Sequence, residues 1–161
     1  MDTSPPVTPL NIAIQTGQIL IIKKIIEHGA NINLPTLTGC TPLHLAISND
    51  KTYSFEIVKI LLNQEYNCEV NHYMQGVGTP LCLACSKTET KIVKILIQEN
   101  AKVNQVGDGG KTALQIACAQ GSEEIVKVLL ENGAELHSED QQGLSPLEIA
   151  TSSNFPAIYS C

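Results

Sequence analysis

A short motif recurs five times along the 161-residue chain. Each copy begins with Thr or Ser, has Leu at its third position and Ala at its sixth, and successive copies start 33, 38, 33 and 33 residues apart. A period in this range indicates a repeat architecture, in which stacked neighbours build the core that one unit alone cannot. The copies are TPLNIAIQTG from Thr8, TPLHLAISND from Thr41, TPLCLACSKT from Thr79, TALQIACAQG from Thr112 and SPLEIATSSN from Ser145.

Each unit is predicted to fold as two helices joined by a turn. The leading Thr or Ser suits a helix N-cap, because its hydroxyl can accept a backbone N–H of the first turn, and Pro is favoured directly after it. Leu43, Ala46 and Ile47 then fall on one helical face. The predicted buried stripe of the second helix in the second unit is Ile57, Val58, Leu61 and Leu62.

Gly or Asn recurs where each second helix is expected to end. These two residues best tolerate the left-handed backbone conformation of a helix C-terminus, so their alternation indicates one geometry used four times. The recurrent small Ala of the first helices indicates that neighbouring helices approach closely. The C-terminal residues are Gly29, Asn67, Asn100 and Gly133, and the alanines are Ala13, Ala46, Ala84, Ala117 and Ala150.

A unit of 33 residues with a Thr-Pro-Leu-His start and a Gly-Ala-Asn-Ile-Asn end resembles the ankyrin repeat, and the resemblance covers residues 8–161. It implies an all-α solenoid of stacked helix-turn-helix units with β-hairpin-like loops projecting from one edge. We expect one domain, 1–161, whose repeats lie at about 4–36, 37–74, 75–107, 108–140 and 141–161. The last repeat is incomplete, which suggests a truncated chain or a frayed tail.

The segment QVGDGGKTALQIA looks at first like a phosphate-binding loop. Such a loop requires a glycine five positions before the glycine of Gly-Lys-Thr, but Gln105 stands there. Gly110 aligns instead with the turn glycines Gly39 and Gly143, and Thr112 aligns with the other helix caps. The segment is therefore predicted to be a hairpin between two repeats.

Composition and charge exclude several classes of function. The net charge of −6 and the pI of about 5.1 argue against nucleic-acid binding, which needs clustered Lys and Arg. No apolar run approaches the roughly 18 residues of a membrane helix, and MDTSPPV lacks the features of a secretory signal. We expect a cytoplasmic protein, with the nucleus as the alternative, that does not insert into membranes and is monomeric as an isolated domain.

The cysteines and histidines form no recognisable catalytic or metal-binding constellation. Cys82 and Cys85 have a suggestive spacing, but no second Cys/His pair lies at zinc-finger distance. Cys85 and Cys118 share a column that needs small buried residues, a role that free Cys fills. For His44 the resemblance implies structural hydrogen bonds between repeats. We expect no catalytic residue, no metal and no cofactor.

A column of lysines, one in each second helix, is predicted to lie on a solvated outer face. Glu56 and Glu124 stand three residues before Lys59 and Lys127, the spacing of exposed helical ion pairs. A basic binding ridge is the alternative, which the negative net charge disfavours. The column is Lys23, Lys59, Lys94 and Lys127.

The hairpin tips depart from the family and supply the first candidate binding surface. Ankyrin tips usually begin with Asp, a residue found here only at Asp140, whereas the other tips begin with Thr36, Met74 and Gly107. Exposed apolar and aromatic residues often mark a contact surface, although some could fold back onto the neighbouring tip. The candidates are Leu34, Pro35, Leu37, Tyr73, Met74 and Val77.

The resemblance adds the concave ends of the first helices as a second surface. The insertion SNDKTYSF makes Tyr53 and Phe55 secondary candidates, with packing of one of them as the alternative. The resemblance also implies Asn71, in Glu-Val-Asn, as a hydroxylation site. The candidates on the concave surface are Ser48, Asn49, Ser86, Lys87, Ala119 and Gln120.

These features predict a non-enzymatic interaction module that binds a partner protein or peptide through the hairpin tips and the concave face. The resemblance leaves open that the chain is the recognition or targeting portion of a larger protein, for example a ubiquitin-ligase receptor, a transcription-factor inhibitor or a pathogen effector. A structural spacer, and an enzyme that needs residues beyond position 161, are the remaining alternatives.

Overall fold

The protein is a stack of antiparallel helix pairs, described by a computed structural model over residues 8–49 and 52–152. These residues form nine α-helices, which confirms the all-α solenoid. The expected start of a fifth second helix lies outside the described residues. The first helices of the repeats are α1 (Pro9–Thr16), α3 (Pro42–Ser48), α5 (Pro80–Ser86), α7 (Ala113–Gln120) and α9 (Pro146–Ser152); the second helices are α2 (Ile19–Glu27), α4 (Ser54–Leu61), α6 (Thr90–Gln98) and α8 (Glu123–Glu131).

The first helices begin at the predicted caps. In all five, the cap hydroxyl accepts the backbone N–H three residues on, at 3.1 to 3.4 Å. Three caps are also closed in return, since the N–H of Thr112 donates to Gln115 Oε1 at 2.7 Å, that of Ser145 to Glu148 Oε2 at 2.8 Å and that of Thr41 to His44 Nδ1 at 3.4 Å. These bonds satisfy donors that have no partner within the helix.

The second helices are followed by left-handed residues, as predicted. In the second repeat a short 3₁₀ turn, Gln64–Tyr66, stands between α4 and the left-handed residue. The extra residues of that repeat are divided between this turn and the longer connection from α3 to α4, so the next repeat keeps its alignment. The φ angles are +84° at Gly29, +50° at Asn67, +66° at Asn100 and +83° at Gly133.

An aliphatic core runs through the whole stack. Ala46, Ala84 and Ala117 are fully buried, which confirms close approach of the first helices. The predicted stripe of α4 is buried as well: Ile57, Val58, Leu61 and Leu62. Because each repeat contributes the same columns of side chains, the core continues from one unit into the next rather than closing within any of them.

The buried cysteines serve as small core residues, as predicted. Cys82, Cys85 and Cys118 are each at most 2 % exposed. Burial raises the pKa of the Cys118 thiol to about 11 and also raises the pKa of Cys85. Both groups therefore stay protonated at neutral pH, in the form that packs well and reacts poorly.

Three asparagines, one per repeat, tie successive loops together. Asn33 Nδ2 donates to the carbonyl of Asn67 at 2.9 Å, and Asn33 Oδ1 accepts the N–H of Glu69 at 2.8 Å. Asn71 and Asn104 make the same two bonds to the repeat that follows each of them. Because each amide both donates and accepts, the side chain fixes the spacing between neighbouring repeats.

Candidate functional site

Four hairpins project from one edge of the stack, ahead of α3, α5, α7 and α9. Each is closed by the same backbone bond, in which the N–H of the first tip residue donates to the carbonyl four residues on, at 2.8 to 3.1 Å. The segment QVGDGGKT is thus a hairpin like the other three, as predicted. The bonded pairs are Thr36–Cys40, Met74–Gly78, Gly107–Lys111 and Asp140–Leu144.

The first tip keeps its turn without the usual Asp. At the last tip, Asp140 Oδ1 accepts the N–H of Leu144 at 3.0 Å. At the first, Thr36 Oγ1 accepts the N–H of Cys40 at 3.1 Å, in the equivalent position. A hydroxyl oxygen therefore replaces the carboxylate, which keeps the turn closed and removes a charge from this end of the edge.

Neighbouring tips are linked into a continuous edge. The three links are Gln75 N–H to Thr38 O at 2.9 Å, Tyr73 O–H to Asp108 Oδ1 at 3.4 Å, and Gln141 N–H to Gly109 O at 3.2 Å. Glycine makes part of this approach possible, because a Cβ on Gly39 would lie 2.6 Å from Tyr73 O. The edge is consequently a preformed surface and not a set of independent loops.

Apolar side chains are exposed in one column of this edge over three successive tips. The column consists of the residue directly before the first residue of each tip. It is Pro35, Tyr73 and Val106 in the first three tips and Glu139 in the last. Tyr73 is 45 % exposed and Val106 53 %, and Leu37, two positions after Pro35, is 81 % exposed. We call Pro35, Leu37, Tyr73 and Val106 the tip stripe.

Val106 was not among the residues expected from the sequence. It stands in a tip of Gly and Asp residues, where no neighbour drew attention to it. The signal that could have found it is its column, since it aligns with Tyr73 once the tips are superposed on their hairpin bonds.

The structure separates the remaining predicted tip residues into two groups. Leu34 is 41 % exposed and lies next to Pro35 in the chain. Met74 and Val77 are half-buried, and Val77 packs against the core. Within the tip stripe, Tyr73 reaches the neighbouring tip through its hydroxyl, which donates to Asp108, and its ring remains 45 % exposed.

The concave surface is formed by the exposed sides of α3, α5 and α7, none of which contains a charged residue. Ser48, Ser86 and Ala119 are exposed, one in each helix. Leu45 and Ile116 are half-buried three residues before Ser48 and Ala119, on the same helical face. The result is a shallow floor of small and aliphatic side chains.

The ends of the first helices hold the other predicted concave residues. Lys87 and Gln120 are exposed. Asn49 is half-buried, and its Nδ2 donates to the carbonyl of Ile14 in the preceding repeat at 2.8 Å. Asn49 therefore ties two repeats together, whatever else it contacts.

The two aromatic residues of the insertion are partly packed. The ring of Tyr53 lies over Gly17 of the first repeat, where a Cβ would come within 2.7 Å of Tyr53 Cδ2. Phe55 lies beneath the ammonium of Lys59, which is 5.9 Å from the ring centroid. Tyr53 and Phe55 remain 46 % and 37 % exposed, respectively.

The outer face formed by the second helices is charged, but the predicted pairing of Glu124 with Lys127 is wrong. Glu124 Oε1 instead pairs with Lys94 Nζ of the preceding repeat, at 2.7 Å. The stacking of the second helices brings these side chains within reach of each other. The prediction was based on spacing along one helix, which identifies only partners within that helix.

His44 makes the expected structural bonds between repeats. Its ring is fully buried, Nε2 donates to the carbonyl of Gly78 at 3.3 Å, and Nδ1 lies 2.8 Å from Thr41 Oγ1. Burial lowers the pKa of His44 to about 4, so the ring is neutral at physiological pH. Gln115 fills the same column and donates to the carbonyl of Leu144 at 2.7 Å.

Within residues 8–49 and 52–152, no group of three or more His, Cys, Asp or Glu side chains is placed to hold a metal ion. None of the helices there is both long and apolar enough to cross a bilayer.

The family of ankyrin repeats, in a three-copy form, matches this chain over residues 2–74, 54–140 and 81–159. The chain belongs to the ankyrin repeat family. Ankyrin repeats are generally protein–protein interaction modules and are typically non-enzymatic. The helix pairs and the hairpins between repeats are the features of the chain that fit this class.

Individual relatives share parts of the chain. The human transient receptor potential cation channel subfamily A member 1 is 29 % identical over 92 residues, which cover 57 % of this chain and 8 % of that protein. A putative ankyrin repeat protein of Rickettsia bellii is 36 % identical over 96 residues, covering 55 % and 38 %. Human neurogenic locus notch homolog protein 4 is 32 % identical over 90 residues, covering 56 % and 4 %. The matched segments are thus a minor part of each relative.

Proposed function

We propose that the chain binds a segment of another protein along the tip stripe and the concave face of its first helices. The observation that carries the proposal is the exposure of Tyr73 and Val106 in one column of an edge whose tips are hydrogen-bonded to one another. Apolar and aromatic anchors supply most of the energy of typical protein interfaces. A preformed edge also avoids part of the entropy cost of binding.

The concave floor completes the proposed surface. Its exposed Ser48 and Ser86 can bond to the backbone of a partner, and Leu45 and Ile116 add apolar contact. Lys87 and Gln120 form its rim. The absence of charged residues in α3, α5 and α7 favours a partner segment over a phosphate-rich ligand.

The finer aspects of the proposal follow from the same features. We propose that the chain acts without catalysis, as a monomer, in the cytoplasm or the nucleus, and that it serves as the recognition portion of a larger assembly. The relatives favour the last point, because the matched segments make up between 4 % and 38 % of their lengths. Hydroxylation of Asn71 stays a prediction; its amide is engaged on both sides, with Asn100 O and with Lys102 N–H.

A paired affinity capture tests the proposal with a matched control. The tip variant carries Leu37→Ala, Tyr73→Ala and Val106→Ala; the control carries Leu20→Ala, Ile21→Ala and Leu136→Ala, three apolar residues of similar exposure away from the stripe. Circular dichroism confirms that both variants are folded. We expect wild type and control to capture the same protein and the tip variant to lose it by at least about tenfold.

Two results would contradict the proposal. If the tip variant captures the protein as well as wild type does, the tip stripe is not the interface. If the control loses the protein and the tip variant keeps it, binding lies at the surface of Leu20 and Ile21 or at that of Leu136, and not on the tip stripe.

A further inference from the structure

We infer that the partner segment is extended, that it presents an apolar side chain at every third residue, and that a basic side chain lies beyond the apolar residue that contacts Val106. This inference rests on the proposed function and adds the spacing and the charge of the partner. Two features of the edge support the inference. One is the distance between successive tips, and the other is the appearance of acidic residues in the tips of the later repeats.

The spacing follows from the stacking of the helices. Packed helices lie about 8–10 Å apart, so each tip is displaced from the next by about that distance. An extended chain rises about 3.1–3.4 Å per residue, and three residues therefore cover one repeat. A polyproline II segment has three residues per turn, which returns every third side chain to the same face. Such a segment can contact Pro35, Tyr73 and Val106 with successive turns.

An α-helix needs a longer segment to cover the same tips. It rises about 1.5 Å per residue, so six to seven residues, or nearly two turns, are needed to pass from one tip to the next. Three tips would therefore require roughly 13–15 residues of helix but only about seven residues of extended chain. Because each ordered residue costs conformational entropy, the shorter extended segment is favoured.

The charge follows from the two columns of the tip stripe. The column of Tyr73 and Val106 ends at Glu139, and the column of Leu37 continues through Gln75 to Asp108. Asp108 and Glu139 are both exposed, and the last two tips are joined by the bond from Gln141 to Gly109. The first column thus ends in an acidic residue, and the second passes from Leu37 through acidic Asp108 to neutral Gln141.

A basic side chain complements this acidic end. Asp108 Oδ1 accepts the Tyr73 hydroxyl at 3.4 Å, which places the carboxylate beside the apolar column. Lys111, on the far stem of the same hairpin, is half-buried and does not reverse the sign of the exposed tip residues. A Lys or Arg about three residues beyond the anchor that contacts Val106, in either chain direction, meets Glu139 or Asp108.

Selection from a library of random 12-residue peptides displayed on phage tests the inference, with the full chain as bait. One enriched peptide is then synthesised, and its affinity for wild type and three variants is measured by fluorescence anisotropy. The variants are the tip variant, an acid variant (Asp108→Asn and Glu139→Gln) and a control (Glu123→Gln and Glu131→Gln) that removes two exposed charges from α8. Asn at position 108 keeps an acceptor for the Tyr73 hydroxyl.

We expect enriched peptides to carry apolar residues at positions i, i+3 and i+6 and Lys or Arg about three residues beyond one end of this series, near i+9 or i−3 according to the chain direction. The acid variant should bind about threefold to tenfold more weakly and with a smaller salt dependence, and the control should match wild type. The tip variant should lose at least about tenfold.

The outcomes separate this inference from the proposed function. Enriched peptides with helical spacing, or unchanged affinity of the acid variant, would overturn the inference while the loss in the tip variant still supports binding at the tips. Undiminished binding by the tip variant would overturn both. Failure of wild type to enrich any peptide would also overturn the inference.

Discussion

Two columns of side chains run along the stack, one through the second helices and one along the hairpin tips. The packed column is Ile57, Ile92 and Ile125, and the tip column is Pro35, Tyr73, Val106 and Glu139. The packed column holds one residue type, each copy fully buried, whereas the tip column changes chemistry at every repeat and stays exposed. Packing constrains the first column and leaves the second free to vary. Stability and the proposed binding surface therefore reside in different columns.

The first repeat shows that place in the stack, and not residue type, sets burial. Ile21 aligns with the packed column of the later repeats but is 47 % exposed, because the described residues include no repeat ahead of it. Leu20 beside it is 78 % exposed. The same residue type thus supports the core in the interior of the stack and contributes little at its end.

The largest expected effect comes from truncating the packed column in the interior. Ile92→Ala should lower the free energy of unfolding by about 2–5 kcal/mol, since it removes a fully buried side chain and leaves a cavity. The matched change Ile21→Ala should cost less than about 1.5 kcal/mol, because half of that side chain already contacts water. Urea unfolding measures both. Equal costs would break the distinction between interior and end.

A pH titration tests the buried His44. The unfolded chain gains a proton near the ordinary histidine pKa of 6.5, but the folded chain does so only near 4. The free energy of unfolding should therefore fall as the pH falls from about 6.5 to 4, by at most about 3 kcal/mol from this group, and no further below that.

The control for this titration is His44→Gln, which keeps a donor for the Gly78 carbonyl, as Gln115 does for Leu144. The difference between wild type and variant isolates His44 from the carboxylates. If the two proteins lose stability in parallel between pH 6.5 and 4, His44 does not carry the effect.

Overpacking the close approach of the first helices should have a somewhat smaller effect. Ala84 is fully buried, and Ala84→Leu should cost about 1–3 kcal/mol because the neighbouring helices must move apart. Ala119→Leu adds the same atoms at an exposed position and should cost less than about 0.5 kcal/mol. A variant Ala84→Leu that unfolds at the same urea concentration as wild type would undermine the assigned repeat alignment.

The ion pair between repeats should contribute little. Lys94 and Glu124 are 49 % and 65 % exposed, so solvent screens their attraction. A double-mutant cycle with Lys94→Met and Glu124→Gln should give a coupling of less than about 1 kcal/mol that declines with added salt. A larger, salt-insensitive coupling would mean that the outer face contributes to stability as the packed column does.

The sequence predicted the features that local patterns determine. The Thr caps, the left-handed Gly and Asn residues and the buried stripe of α4 all follow from residue types within one repeat, and the structure confirms them. Family membership followed from the same patterns, because five copies keep one alignment.

Contacts between repeats were harder to predict. The partner of Glu124 depends on the distance between one second helix and the next. The spacing of residues along a single helix does not reveal that distance. The packing of Tyr53 over Gly17 likewise joins two repeats, through an insertion with no counterpart elsewhere in the chain. Val106 could have been found by comparing tips column by column, but not from its neighbours along the chain.

The most direct test of the separation between the two columns is the urea unfolding midpoint of the tip variant, Leu37→Ala, Tyr73→Ala and Val106→Ala. These side chains are 81 %, 45 % and 53 % exposed, so the free energy of unfolding obtained from that midpoint should lie within about 1 kcal/mol of the wild-type value. We expect the same variant to lose partner binding. A loss of 3 kcal/mol or more would show that the tips belong to the core, and would contradict their assignment as a binding surface.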